Sequence, residues 1–232
     1  MHRKKHIKLL KGSQMVIILS YLPFLQLSGI NGANTRGQRL GNIIDSAELH
    51  ANDTLKSGRG LCDFQLVHKL AQSSSAAVAF LEGFGLDLSV VSHCGGHTVP
   101  RTHREPNTIE GKPKPVGFDI IQALKEHLKS VDPSRLGLLT KSHVTELITN
   151  DGAVTGVKYT AQDSGETKIV NADAVILTTG GYSSDPHGLL QRFTPSLTML
   201  PTTNGPFATG DGVHMGVSVG ALLRDMDKVS CM

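Results

Sequence analysis

Five side chains able to hold an anion or pass a proton crowd into one short stretch. HCGGHTVPRTHR, residues 93–104, carries His93, His97, Arg101, His103 and Arg104. The planar arginine fork matches a carboxylate or a phosphate, and the histidines add donors beside it. The stretch therefore suits a dicarboxylate or phosphate ligand; a solvated basic loop is the alternative reading. Zinc at His93 and His97 needs helical spacing, and Gly95-Gly96 between them disfavours a helix there. A second site of interest is the turn ATGDG, where Asp211 sits as a helix opens. A carboxylate at that place is an N-cap or accepts a hydrogen bond from a ribose or similar polyol hydroxyl. The third is LTTGGYSSD, where an apolar run stops at Gly180-Gly181. In an open α/β sheet the crevice beyond the strand ends takes nucleotides, and paired glycines let backbone approach a ligand; a plain tight turn is the alternative.

These groups are hung on alternating helices and strands. The apolar spacing predicts a helix over 63–85 with Leu66, Leu70, Ala77, Leu81 and Phe84 on its inner face, stopped by Gly83 and Gly85. A second helix over 118–131 places Ile121, Leu124, Leu128 and Val131 together. From His143 the period changes to short β-rich runs broken at Asn-Asp-Gly and Asp-Ser-Gly, which read as a hairpin, a third strand and a buried strand over 174–177. The segments 27–38 and 92–115, rich in Gly, Asn and Pro, read as loops.

Composition narrows the classes. With 232 residues, 39% hydrophobic content and 25 glycines, the chain can bury a sizeable core of a loop-rich α/β protein. A net charge of +3, with no Trp and three Tyr, argues against a nucleic-acid partner. Three scattered cysteines, Cys62, Cys94 and Cys231, without a C-x-x-C, point to free thiols of a reducing, intracellular compartment. The apolar run MVIILSYLPFLQL, residues 15–27, contains a proline and falls short of the ~20 residues of a membrane helix; it reads as a buried or misplaced segment. The motifs G-x-G-x-x-G, P-loop, G-x-S-x-G and H-E-x-x-H do not occur.

Five stretches, SGINGANTRGQ, GGHTVPRTHR, VTELITNDGAVTGVKY, ADAVILTTGGYSSD and ATGDGVHMGVSVGALLRDMDKV, stand in the order found in the fumarate reductase flavoprotein family. Over 27–229 the chain resembles that family, with the nearest likeness to the NADH-dependent fumarate reductases of kinetoplastid protozoa. The resemblance implies a glutathione-reductase-like FAD-binding fold with FAD along the strand ends. It implies that Ser28, Gly29 and Asn31 lie against the flavin ring and that His143 touches the adenine end. Asp211 would also touch FAD, with Gly180 and Gly181 giving it room. Fumarate or succinate would be the substrate and NADH a candidate electron donor, with neither a membrane span nor a metal site.

The chain also departs from that family. Residues 1–26 stand where the family has a βαβ unit with G-x-G-x-x-G, and the family's capping domain, with its substrate-binding and proton-donating residues, follows the point where MDKV stands here. The expectation is an α/β fold, a partial FAD-binding domain over 27–232 with a β-hairpin layer, preceded by a divergent segment 1–26. The dinucleotide-binding βαβ unit and the capping domain are expected to be lacking. A truncated member with impaired FAD binding, no catalytic residue of its own and no activity alone is what the resemblance implies; half of a split flavoenzyme or a non-catalytic binding module are the alternatives.

Overall fold

The computed structural model describes residues 5–10, 15–20 and 29–229. Its elements in chain order are β1 (Lys5–Leu10), β2 (Met15–Ser20), β3 (Ile30–Asn31), α1 (Arg36–Leu40), α2 (Ala47–Ser57), α3 (Phe64–Glu82), β4 (Val90–Ser92), β5 (Thr102–Arg104) and α4 (Val116–Ser130). They continue with β6 (Leu136–Leu139), β7 (Ser142–Asn150), β8 (Ala153–Ala161), β9 (Thr167–Asn171), β10 (Ala174–Thr178), α5 (Leu189–Phe193) and α6 (Asp211–Ser218). The chain divides into two compact units, residues 24–130 and the N-terminal strands together with residues 131 onward.

The second of these units holds two sheets. One has the order β10-β2-β1-β6, and the other is the meander β7-β8-β9. β1 and β2 pair antiparallel, whereas β10 runs parallel to β2. A βαβ unit needs two parallel strands joined by a crossover of a dozen or more residues, so β1 and β2 do not form one. In the meander, Asn150 faces Ala153 across the Asp151-Gly152 turn, as the Asn-Asp-Gly signal predicts. The register slips between Val144 and Glu146, and this bulge shifts the alternation by one residue, so Ser142, Val144 and Leu147 are all buried. Val144, Leu147, Val157, Tyr159 and Ala172 then make a core with Val16 of β2 and Met215 of α6.

The unit 24–130 is mostly helical around the small sheet β3-β5-β4. The starts of α1, α2 and α3 are capped as their sequence dictates. Thr35 and Gln38 form a reciprocal capping box on α1, Ser46 accepts from Leu49 N on α2, and Asp63 accepts from Leu66 N on α3. Val78, Leu81, Leu86, Leu88, Val116 and Ile120 form one core between α3 and α4, and Ala51, Val67 and Ala71 a second between α2 and α3.

Several expectations are corrected. The run 174–177 is not a buried strand: β10 is a sheet edge, with Ile176 and Leu177 41% and 36% exposed. The inner face of α3 is Val67, Ala71, Ser74, Val78 and Leu81, while Leu66 and Leu70 are exposed and Ala77 and Phe84 lie off the core. Small residues decide this. Ala33 N donates to Ser74 Oγ at 3.0 Å, and a Cβ on Gly32 would stand 2.7 Å from Val78, so the 29–33 segment packs on the small-residue stripe and not on the leucines. On α4 the buried residues begin a turn earlier, at Val116 and Ile120, and Ile121, Leu124 and Leu128 are half-buried. The two segments read as loops contain elements: β3 and the start of α1 within 27–38, and β5 within 92–115. In 15–27, residues 15–20 form β2 with Val16 fully buried; the remainder lies outside the described residues, as do Ser28 and Cys231. No described helix is long and apolar enough to cross a membrane.

Candidate functional site

In the sheet-bearing unit the end of β10 meets the start of α6. Thr179, the first residue past β10, is buried, and its Oγ1 would lie 2.2 Å from a Cβ on Gly212. The helix can therefore approach the strand end only because residue 212 has no side chain. Gly210, the residue before α6, donates its N–H to the Gly181 carbonyl at 3.0 Å and has φ 71°, with Leu189 2.2 Å from its missing Cβ. Gly180 and Gly181 differ from both: among the described residues, chain neighbours aside, no atom lies within 4 Å of where either Cβ would be. Gly180 needs its left-handed φ of 76° for the turn, but Gly181 has no such requirement. Open space above a glycine that the backbone does not require is what a ligand-clearance role needs.

Asp211 occupies the first turn of α6, where the helix dipole favours a carboxylate, and its Oδ1 accepts from Thr209 Oγ1 at 2.7 Å. His143, second residue of β7, brings its Nε2 to 3.9 Å from Asp211 Oδ2. The fold thus gathers His143, Gly180, Gly181 and Asp211, three separate sequence segments, at the carboxyl end of β10. Asp211 is not the N-cap; Gly210 holds that position.

Gly29 and Asn31 belong to the other unit. A Cβ on Gly29 would stand 2.5 Å from the His103 carbonyl and 2.6 Å from Thr102, so the β3–β5 pairing alone accounts for a glycine there. Asn31 accepts from Thr102 Oγ1 at 2.7 Å and is exposed.

The basic stretch 93–104 is neither a solvated loop nor a ligand clamp throughout. Arg101 and His103 are fully buried. Arg101 bonds Asp45 through two nitrogens at 2.7 and 2.8 Å and Asp53 at 2.8 Å. Thr98 gives Asp53 two further donors, at 2.9 and 3.0 Å, and Gln38 donates to Asp45 at 2.7 Å. Burial alone raises the Asp45 carboxyl, but hydrogen bonds from Arg101, Gln38 and Ser46 and the Arg101 charge hold it below the usual range. Asp53 behaves likewise, with burial opposed by Arg101 and Thr98. Contacts with Asp45 and Asp53 raise Arg101 in turn. His103 bonds Thr35 through Nε2 and the Ile30 carbonyl through Nδ1, and burial lowers its pKa. These two side chains lock β5 to α1, α2 and β3. Arg104 is half-buried on Ser92 and Asn107, and His93 is exposed with its ring on the His97 carbonyl. Among the described residues no cluster of three or more possible metal ligands occurs.

Sequence reasoning missed Asp45 and Asp53, the partners of Arg101 that lie 56 and 48 positions from it, and Gln38, which donates to Asp45. The one readable signal was the T-x-x-Q capping box at Thr35–Gln38, whose glutamine doubles as a ligand of Asp45.

The sequence pattern of the FAD binding domain family matches residues 24–232. Fumarate reductase 1 of Saccharomyces cerevisiae is 37% identical over 206 residues, covering 87% of this chain and 42% of that protein. The fumarate reductase of Schizosaccharomyces pombe is 36% identical, covering 87% and 40%. Among solved structures, the open conformation of a flavocytochrome c3 fumarate reductase superposes with a TM-score of 0.81 at 30% identity, over 92% of this chain and 37% of that one. The chain thus spans about two fifths of the length of these relatives.

Proposed function

This chain belongs to the FAD binding domain family, and from that premise we propose that it is the FAD-holding part of an oxidoreductase of the fumarate reductase type. The observation that carries the reading is the end of β10, where Gly181 leaves space that no atom of the described residues fills, beside the Asp211 carboxylate and His143. In this reading Asp211 accepts from a ribose hydroxyl, and His143 borders the adenine. In the unit 24–130, Asn31 offers an exposed side-chain amide to the flavin ring, and Gly29 acts through the backbone path it sets. Ser28 is carried with them from the family resemblance.

The reaction proposed is reduction of the carbon–carbon double bond of a dicarboxylate such as fumarate to give succinate, with NADH as candidate donor. Bound FAD supplies the electron pair for that reduction. The residues here bind and orient; they do not supply the proton. Arg101 and His103, the groups of the basic stretch best suited to a dicarboxylate, are spent on Asp45, Asp53 and Thr35. Fumarate turnover by this chain alone is therefore not expected. The test is succinate formation from fumarate, FAD and NADH with the purified chain: none above the enzyme-free blank supports the reading. Turnover that Arg104→Met or His93→Ala abolishes would overturn it, because the basic stretch would then be catalytic.

A further inference from the structure

The segment 105–115 leaves β5 and returns over the surface to the start of α4. It is bonded mostly to itself. Thr108 donates its N–H to the Lys112 carbonyl at 2.8 Å, Gly111 its own to the Thr108 carbonyl at 2.8 Å, and Asn107 Nδ2 donates to the Gly111 carbonyl at 3.2 Å. Among the described residues, the hydrogen bonds of 106–113 stay within the segment or come from Arg104. A compact surface loop packed on itself has its two ends close together. Here the neck holds Glu105, the one buried residue of 105–115.

Two charged groups act on Glu105 from the other side of the neck. Lys114 Nζ stands 3.4 Å from its Oε1, and Asp119, in the first turn of α4, is within hydrogen-bonding reach of its carboxyl. From β5 itself the neighbouring charge is Arg104, which is turned to Ser92 and Asn107. Two carboxylates have no proton to share, so a bond between Glu105 and Asp119 exists only while one of them is protonated. No donor reaches the buried Oε2 of Glu105. A proton on that oxygen, given to Asp119, satisfies it. Burial and Asp119 favour this neutral acid, and Lys114, 40% exposed, opposes them.

We propose that Glu105 and Asp119 form a proton-operated clasp: with the proton in place the segment 105–115 is tied to the start of α4, and loss of the proton releases it. Ionised, Glu105 is a second carboxylate facing the first, with Lys114 alone to balance the two. Swinging Glu105 out to water relieves this without breaking the bonds inside the segment. The entry to α4 opens with it. There the Val116 N–H is held by the Lys114 carbonyl at 3.0 Å, and those of Phe118 and Asp119 by the Pro115 carbonyl at 2.8 and 3.1 Å. Below pH 4.5, the ordinary value for this carboxyl, closed and open forms both hold the proton and closure does not depend on pH. Above it only the closed form keeps the proton, so closure weakens by up to about tenfold per pH unit until the raised folded value is passed.

Hydrogen exchange of the full chain between pH 4.5 and pH 8 tests the clasp, read by mass spectrometry in peptides covering 105–119 and corrected for intrinsic exchange. Protection there should fall by about tenfold in the parent and stay level in Glu105→Gln, whose neutral amide still donates to Asp119. Asp119→Asn gives an ionised Glu105 a donor and should keep most of the protection at pH 8. Glu110→Gln, which removes an exposed carboxylate of the same segment, should behave as the parent. The same fall in Glu105→Gln as in the parent would overturn the proposal. So would a fall of equal size in peptides of α2 and α3, which would make it a loss of stability of the whole unit. If Glu105→Gln does not fold, protection kept in Asp119→Asn upholds the clasp and a parent-like fall there overturns it.

Discussion

Replacing Arg101 by methionine removes one charge from a site with no exit to water. Arg101 and the Asp45 side chain are 0% exposed and the Asp53 side chain 6%. The variant keeps much of the side-chain volume but leaves two carboxylates buried with fewer donors: Gln38 and Ser46 remain on Asp45, and Thr98 on Asp53. Breaking a buried ion pair by removing one partner costs about 3–5 kcal/mol. A residue on a solvated loop costs within about 0.5 kcal/mol. At a urea slope of about 2 kcal/mol per molar, the buried case moves the denaturation midpoint down by about 1.5–2.5 M. Circular dichroism of the full chain in urea reads this directly. Arg104→Met, at a half-buried position with neutral partners, serves as the control and should cost about 1 kcal/mol. Adding Asp45→Asn to Arg101→Met should recover part of the loss, because the orphaned charge is removed. An Arg101→Met midpoint within 0.3 M of the parent, or no recovery in the double variant, would refute the assignment of Arg101 as a structural tie.

Acid should weaken the unit 24–130 well before its carboxylates protonate. Burial lowers the folded pKa of His50 and His103 below the ordinary 6.5. Above that pH both states are neutral and stability is flat; below it the unfolded chain binds protons that the native state refuses, costing up to about 1.4 kcal/mol per pH unit for each histidine. Asp45 and Asp53, held below 3.8, withdraw their contribution only at lower pH, so urea midpoints that do not fall between pH 7 and pH 5 would contradict the burial of these rings. Glu105 runs the other way: burial and then its hydrogen bond with Asp119 raise its pKa, so its contribution is present below 4.5 and lost as pH rises through the folded value. Glu105→Gln should therefore stabilise the chain at pH 8 relative to pH 5, and equal effects at both pH values would count against a buried carboxyl.

What the sequence disclosed follows from the range of the interactions involved. The hairpin β7–β8 and the third strand were legible because Asn150-Asp151-Gly152 and the alternation around it act within a few residues. The caps at Thr35, Ser46 and Asp63 are equally local. The face of α3 was misjudged because Leu66, Leu70 and Ala77 have the same spacing as Val67, Ala71 and Val78; only the approach of Gly32 and Ala33 to Ser74 selects between them. The exposure of β10 depends on its edge position in a sheet that also takes strands from residues 5–20. At the site, Gly180-Gly181 and Asp211 stood out as residue types, yet their meeting with His143 is tertiary. Arg101 and His103 looked like ligand-binding groups because arginine and histidine have the same chemistry toward Asp45 and Thr35 as toward a substrate.

Gly181→Val tests the central claim most directly. The position is exposed, has no atom of the described residues beyond its chain neighbours within 4 Å of the added Cβ and needs no left-handed backbone, so valine should leave the melting temperature within a few degrees of the parent. If FAD passes over this strand end, the same change fills its path. FAD titrated into both proteins by fluorescence quenching should then bind the parent saturably and Gly181→Val at least about tenfold more weakly, a difference of about 1.4 kcal/mol. Equal FAD affinity in the two, at equal stability, would contradict the placement of the cofactor at the end of β10.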